Sequence, residues 1–275
     1  MSIDFEVLLH RSRKEIFSLL QGQHLSKVYG EGYDLAQLRE YQYGDDIRKI
    51  SWLTTAKMQR PFIKQMQAEQ SAHIAVALLM DGALYCAHDN TKQHLMVEVG
   101  AMLGYAAQQG GDTFQGIGHT PKETFTTSPT KHPYAIEQFF RTLYHTELLH
   151  TSLALAPTLD HLYHTLQHPS LLFVLHDFLL PVDLSLLAQK HEVVAVMIRH
   201  QEEELLSSHG EITLHDPTDG THRHTYLNPY RTQHYTVNRQ AHDAAIVAHF
   251  LKHRIRYVKI ATNENPAKKL HTLFG

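Results

Sequence analysis

Two kinds of hydrophobic pattern alternate along the chain. In one, nearly every residue is apolar: His73 to Met80 (HIAVALLM), Ser170 to Leu175 (SLLFVL) and Glu192 to Ile198 (EVVAVMI). Such short continuous runs are expected of strands covered on both faces. In the other, apolar residues recur every three or four positions, the mark of a helix with one buried face. Residues 91–109 place Leu95, Val99, Met102, Leu103 and Ala106 in this way. Gly110-Gly111-Asp112 then turns into a strand at Thr113–Ile117, with a short third strand at Glu123–Thr126 completing a hairpin. Further helices are predicted at 133–146, 155–167, 182–190, 237–254 and Pro266–Phe274, and a last strand at Arg256–Ala261. The polar stretch 211–227, with Asp216-Pro217 and Asp219-Gly220, predicts a hairpin at an edge. Buried strands alternating with helices predict an α/β fold: an open, mostly parallel sheet with helices on both faces.

Ahead of the first core strand the pattern changes. Phe5, Leu8, Leu9, Ile16, Leu19 and Leu20 predict an amphipathic helix over residues 4–20. Residues 24–38 are punctuated by glycine. Within Gly30–Gln65, charges of both signs (Arg39, Glu40, Asp45, Asp46, Arg48, Lys49) interleave with Tyr33, Tyr41, Tyr43 and Trp52, the only Trp of the chain. Gly44 before two acids suits a turn into a helix N-terminus. Asp45–Lys57 is therefore predicted helical, with Ile47, Ile50, Trp52 and Leu53 inward, and Pro61–Gln67 extended. Arg39, Asp45, Asp46 and Arg48 suit either an internal salt-bridge network beside Tyr41 and Trp52 or a surface that meets a partner. The predicted organisation is an N-terminal helix and elaboration at 1–70, then the α/β domain at 71–275.

Composition narrows the function. A formal net charge of −3 over 275 residues, with no block of like charge, argues against nucleic-acid binding. Acids at Asp4 and Glu6 break any signal peptide, and the longest apolar run is too short to span a bilayer, so a cytoplasmic protein with no membrane insertion is expected. One cysteine, Cys86, rules out an internal disulfide. Its neighbour His88 lacks the third, orienting group that a thiol nucleophile needs, so a packed or half-exposed Cys is expected. The 24 histidines are the unusual number. His161, His164 and His168 share one helical face, as do His242, His249 and His253. No acid accompanies either set, so exposed polar usage is preferred over zinc binding or pH sensing.

In a sheet of this kind ligands bind beyond the carboxyl ends of the strands. Asp81 and Asp177 both lie there. They suit either a hard cation such as Mg²⁺, with Thr151 and Ser152 as further donors, or the capping of the next helix, which is the preferred reading. No phosphate loop, G-x-S-x-G elbow or H-E-x-x-H motif occurs.

The segment from Leu38 to Trp52 (LREYQYGDDIRKISW), followed by Thr55-Ala56-Lys57, resembles the signature of the family called domain of unknown function 58. Asp81 after a strand, Gly111-Asp112 before one, His176-Asp177-Phe178-Leu179 and Asp216-Pro217-Thr218-Asp219-Gly220 fit the same family in order, from about residue 24 to the end. The resemblance implies a von Willebrand factor A-like fold, no established enzymatic activity, and partnership with a MoxR-type AAA+ ATPase as an adaptor or assembly factor. It also implies a soluble member, without the membrane helices of longer relatives. The signature residues carried over are Arg39, Tyr41, Gly44, Asp45, Asp46, Arg48 and Trp52. The fold's metal site carries over onto Asp81, Thr151 and Asp177, but Ala83 and Tyr85 stand where two serines belong. The expectation is therefore a degenerate site with no cofactor, Mg²⁺ being the ion to test. The alternative function is a divalent-metal-dependent hydrolase using Asp81 and Asp177.

Overall fold

A computed structural model describes residues 5–20, 37–43, 45–65, 71–86, 91–204 and 210–274. The chain opens with helix α1 (Phe5–Leu20). Strands β1 (Gln37–Glu40) and β2 (Phe62–Gln65) flank a 3₁₀ turn at Ile47–Lys49 and the short helix α2 (Trp52–Met58). There follow β3 (His73–Leu79), α3 (Thr91–Gln109), β4 (Thr113–His119), β5 (Thr124–Thr126), α4 (Pro133–His145), α5 (Leu155–Thr165) and β6 (Leu171–His176). Next come α6 (Ser185–Lys190), β7 (Glu192–Arg199), α7 (Gln201–Glu204), β8 (Gly210–His215), β9 (His222–Leu227), α8 (Pro229–Lys252), β10 (Arg256–Ala261) and α9 (Pro266–Phe274).

The central sheet has six strands in the order β10-β7-β6-β3-β4-β5. All neighbours are parallel except β5, which closes one edge antiparallel to β4. Val76 sits at its centre, opposite Gly116 on one side and Phe173 on the other. Alternation divides each strand between two cores. Ile74, Val76 and Leu78 join the core under α1, α3, α4 and α9, and Ala75, Ala77 and Leu79 join the one under α5, α6 and α8. Burial on both faces is why these strands read as unbroken apolar runs.

Helix α3 is buried at every residue from Lys92 to Ala107, because α1 and α4 pack on it from outside. Phe5, Leu8 and Leu9 of α1 enter the same core. Helix α4 sits close because glycines face it. A Cβ at Gly116 would lie 2.5 Å from the Phe139 ring, and one at Gly100 2.6 Å from the Phe140 ring.

The signature stretch departs most from expectation. The helix predicted at Asp45–Lys57 is broken: Asp46 Oδ1 caps the 3₁₀ turn by accepting Arg48 N–H at 3.0 Å, and Ile50 is extended. The interruption rotates the apolar positions outward. Ile47, Trp52 and Leu53 are 65%, 71% and 73% exposed, and of the four residues expected inside only Ile50 is even half-buried. Gly44 and the Arg39 side chain lie outside the described residues. Two other boundaries move. Helix α8 begins eight residues early, because Asn228 accepts Arg231 N–H at 2.9 Å and Pro229 takes the first helical position. The β8–β9 hairpin pairs with itself and not with the main sheet's edge.

The histidine sets do not converge. His161 packs edge-on against His119, His168 lies against His73, and His164 is 3.7 Å from Asp160. His249 lies by His253 and Asp183, whereas His242 bonds the Phe178 carbonyl. Two of the buried rings affect stability. Burial, with His161 nearby, lowers His119 to about 4, and burial, with Lys190 nearby, lowers His191 to about 4. Both stay neutral in the fold, whereas an unfolded His protonates near pH 6.5. Their contribution is complete above that pH and is lost as the pH falls from 6.5 toward 4. Replacing His119 by Gln is expected to lessen the stability lost between pH 7 and pH 4.5 by about 1–3 kcal/mol, read from thermal or urea unfolding. An unchanged pH slope would show that His119 protonates freely in the folded protein.

Candidate functional site

The carboxyl edge of the sheet gathers the sequence-predicted acids, but their oxygens are already engaged. Asp81 follows β3. Its Oδ1 accepts Ala83 N–H and its Oδ2 accepts Leu153 N–H, both at 3.0 Å. One carboxylate thus caps the turn Gly82–Leu84 and ties down the loop before α5. Thr151 is brought beside it, through its backbone: Gly82 N–H donates to Thr151 O at 2.8 Å, while the Thr151 hydroxyl donates to Leu148 O. The turn at Asp216–Gly220 folds over this loop, with His150 N–H donating to Pro217 O at 2.8 Å.

Asp177 follows β6 and is buried. Its Oδ1 accepts Leu179 N–H at 3.1 Å, and its Oδ2 lies 3.4 Å from Lys92 Nζ. Lys92, in the first turn of α3, has a side-chain exposure of 0%. Its ammonium also contacts Glu203 Oε1 at 2.5 Å, while Glu203 Oε2 accepts His200 N–H at 2.8 Å. Burial alone would lower the Lys92 ammonium, but Asp177 and Glu203 outweigh it and hold it above its usual range. Burial alone would raise the Asp177 carboxyl, but the Lys92 ammonium and the Leu179 N–H hold it below the usual carboxylate range. Both groups are charged at neutral pH. His176 is pushed down by burial, which keeps its ring neutral, and its Nδ1 accepts Phe178 N–H at 2.9 Å.

A second charged cluster continues the edge. Phe178 is wholly buried at φ 51°, a left-handed conformation costly for a bulky residue. Its carbonyl accepts from Arg199 Nη2 and His242 Nε2, both at 3.1 Å. Buried Arg199 pairs with Asp243 at 2.7 Å. Arg239 and Lys259 each bridge Glu204 and Asp243 at 2.8–3.2 Å. Sequence reasoning missed Lys92, Arg199, Glu203 and Asp243. The available signals were a lysine opening an apolar helix and an arginine ending a buried strand.

The residues present do not fit a divalent ion. Mg²⁺ needs about six oxygens at about 2.0–2.1 Å. Both Asp81 oxygens accept backbone N–H groups, the Thr151 hydroxyl is turned away, and an ammonium holds the space between Asp177 and Glu203. Ala83 offers no donor. Among the described residues no three His, Cys, Asp or Glu side chains are placed to share an ion.

In the signature stretch, Asp45 Oδ2 accepts Gln42 N–H at 2.8 Å, and Asp46 caps the 3₁₀ turn. Tyr41 N–H donates to Pro61 O at 2.8 Å. Arg60 pairs with Glu40 at 3.2 Å in the open, and Arg48 is exposed, with no carboxylate partner among the described residues.

Gly82 is the position that the edge can least change. A Cβ there would meet Pro217 O at 2.3 Å and Thr151 O at 2.8 Å, both backbone atoms. Gly82→Ala is expected to push the 216–220 turn off the edge and cost about 1–3 kcal/mol. Hydrogen exchange should show the His150 amide losing protection while strand β6 keeps its own. Unchanged protection at His150 would show that the turn is not held by this contact.

Among the described residues no helix is long and apolar enough to cross a membrane. The chain is 23% identical over 243 residues to the uncharacterized proteins Mb1516 of Mycobacterium bovis and Rv1480 of Mycobacterium tuberculosis, a match covering 85% of this chain and 76% of each relative. Among solved structures, the conserved hypothetical protein BatB of Bacteroides thetaiotaomicron aligns at a TM-score of 0.42 and 11% identity, over 74% of this chain and 97% of that one. The family described as "Protein of unknown function DUF58" matches residues 37–245, most of the sequence, and the chain belongs to that family.

Proposed function

We propose that the protein is a non-enzymatic interaction module of von Willebrand factor A-like build, an adaptor or assembly factor working in the cytoplasm with a MoxR-type AAA+ ATPase. The observation that carries this reading is the outward set Ile47, Trp52, Leu53 and Met58 on the small β1–β2 and α2 unit. Exposed apolar side chains gathered in one short stretch are costly in water unless a partner covers them, and aromatic and Met side chains are enriched where proteins meet. The sheet order, with its short antiparallel edge strand β5, supports the von Willebrand part. The identity of the ATPase rests on the family resemblance. A divalent-metal-dependent hydrolase using Asp81 and Asp177 has less support, because both carboxylates are committed to other groups.

Calorimetry of the purified protein with the MoxR-type ATPase of the same organism, with and without ATP, tests the reading. Trp52→Ala combined with Leu53→Asp is expected to weaken binding at least about tenfold, roughly 1.4 kcal/mol. Its melting temperature should stay near that of the wild type, since both side chains are exposed. Wild-type protein that binds no such ATPase defeats the adaptor reading. Binding indifferent to the double substitution moves the contact elsewhere on the surface.

A further inference from the structure

Lys92 is left unexplained by the proposed function. It lies in the first turn of α3, where the helix dipole disfavours a cation. It is wholly buried, and a buried ammonium costs several kcal/mol unless good partners surround it. An apolar side chain at position 92 would fill the same space without that cost. Two carboxylates from different elements converge on the Nζ: Asp177 beyond β6 at 3.4 Å, and Glu203 of α7 at 2.5 Å. Neither can readily turn away, because Leu179 N–H holds the far oxygen of Asp177 and His200 N–H holds that of Glu203. Two fixed carboxylates meeting in a buried place repel unless a cation stands between them. The other acid that follows a central strand, Asp81, accepts backbone N–H groups at both oxygens.

We propose that the Lys92 ammonium is a built-in cation that takes the place of a bound divalent ion at the sheet's carboxyl edge. It joins α3, β6 and α7 in one arrangement, and the edge has no ion to gain or lose. Removing the ammonium but leaving both carboxylates turns the same position into a site with a vacancy for a cation. The inference concerns the protein alone and holds whatever its partner is.

The test is Mn²⁺ titration by calorimetry and electron paramagnetic resonance, with thermal melts in Mg²⁺ and Mn²⁺. Wild-type protein is expected to show no ion binding that Asp177→Asn removes, and a melting temperature that neither ion moves. Lys92→Ala is expected to melt lower and to take up Mn²⁺, with part of the lost melting temperature regained. Adding Glu203→Gln in that background should abolish the gain. Lys92→Met, which fills the gap without charge, should melt lower and gain nothing from the ion. Lys92→Met combined with Asp177→Asn and Glu203→Gln should be more stable than Lys92→Met alone, because no bare carboxylates remain. Any one of four results overturns the proposal: Asp177-dependent Mn²⁺ binding by the wild type, a folded Lys92→Ala that takes up no ion, Lys92→Met as stable as the wild type, or a triple variant no more stable than Lys92→Met. If Lys92→Ala does not fold, the wild type, Lys92→Met and the triple variant still decide the matter.

Discussion

A positive charge with no access to water sets the terms for one end of this molecule. Lys92 can stay ionised at 0% exposure only if two carboxylates reach it and stay there. That requirement fixes where β6 ends, since Asp177 must follow His176 at once. It fixes the place of α7, which has to deliver Glu203. It also fits the burial of α3 as a whole: a helix covered by α1 and α4 holds its first turn still, and with it the ammonium. Buried ion pairs add little net stability compared with apolar packing. What this one adds is position, because three elements from distant parts of the chain meet at one atom.

The same edge shows how polar groups are accommodated without solvent. Asp81 is satisfied by N–H groups of Ala83 and Leu153, so its charge is spread over the backbone. Asp177 and Glu203 divide their oxygens between backbone N–H groups and the ammonium. Arg199 and Arg239 meet Asp243 and Glu204 a short way along. The left-handed Phe178 is held in the middle of this arrangement, its carbonyl aimed at two donors. Backbone strain of this kind persists only where the surroundings over-determine it, and here they do.

The core strands were legible because burial on both faces leaves an unbroken apolar run, and β3, β6 and β7 carry such runs. The place of Asp81 and Asp177 was legible for the same reason, since each directly follows a strand that could be read. Their partners were not. Lys92 lies 85 positions from Asp177 and 111 from Glu203, and periodicity carries no information at such separations. Nothing in the spacing said that a lysine of α3 would stand between Asp177 and Glu203. The signature stretch failed for a local reason. Its apolar residues have helical spacing, but an extended Ile50 interrupts the helix, so their common face was lost. The start of α8 had a local signal in Asn228-Pro229, a capping side chain followed by a proline at the first helical position.

These two regions divide the work differently from what the carried-over site implied. At the carboxyl edge Asp81, Asp177, Glu203, Glu204 and Asp243 are each matched to a backbone donor or a cation, and the 216–220 turn closes over Gly82 and Thr151. Carboxylates engaged in this way have little free energy left to offer a ligand, because each new contact must first break an existing one. The signature stretch is the reverse. Asp45 and Asp46 are spent on its own turns, Ile47, Trp52 and Leu53 face water, and Arg48 has no carboxylate beside it among the described residues. Burying exposed apolar area yields roughly 25 cal/mol per Å², with few existing bonds to break. The proposed contact with a partner therefore falls on the elaboration ahead of the first core strand, while the groups of the sheet edge hold its elements in place.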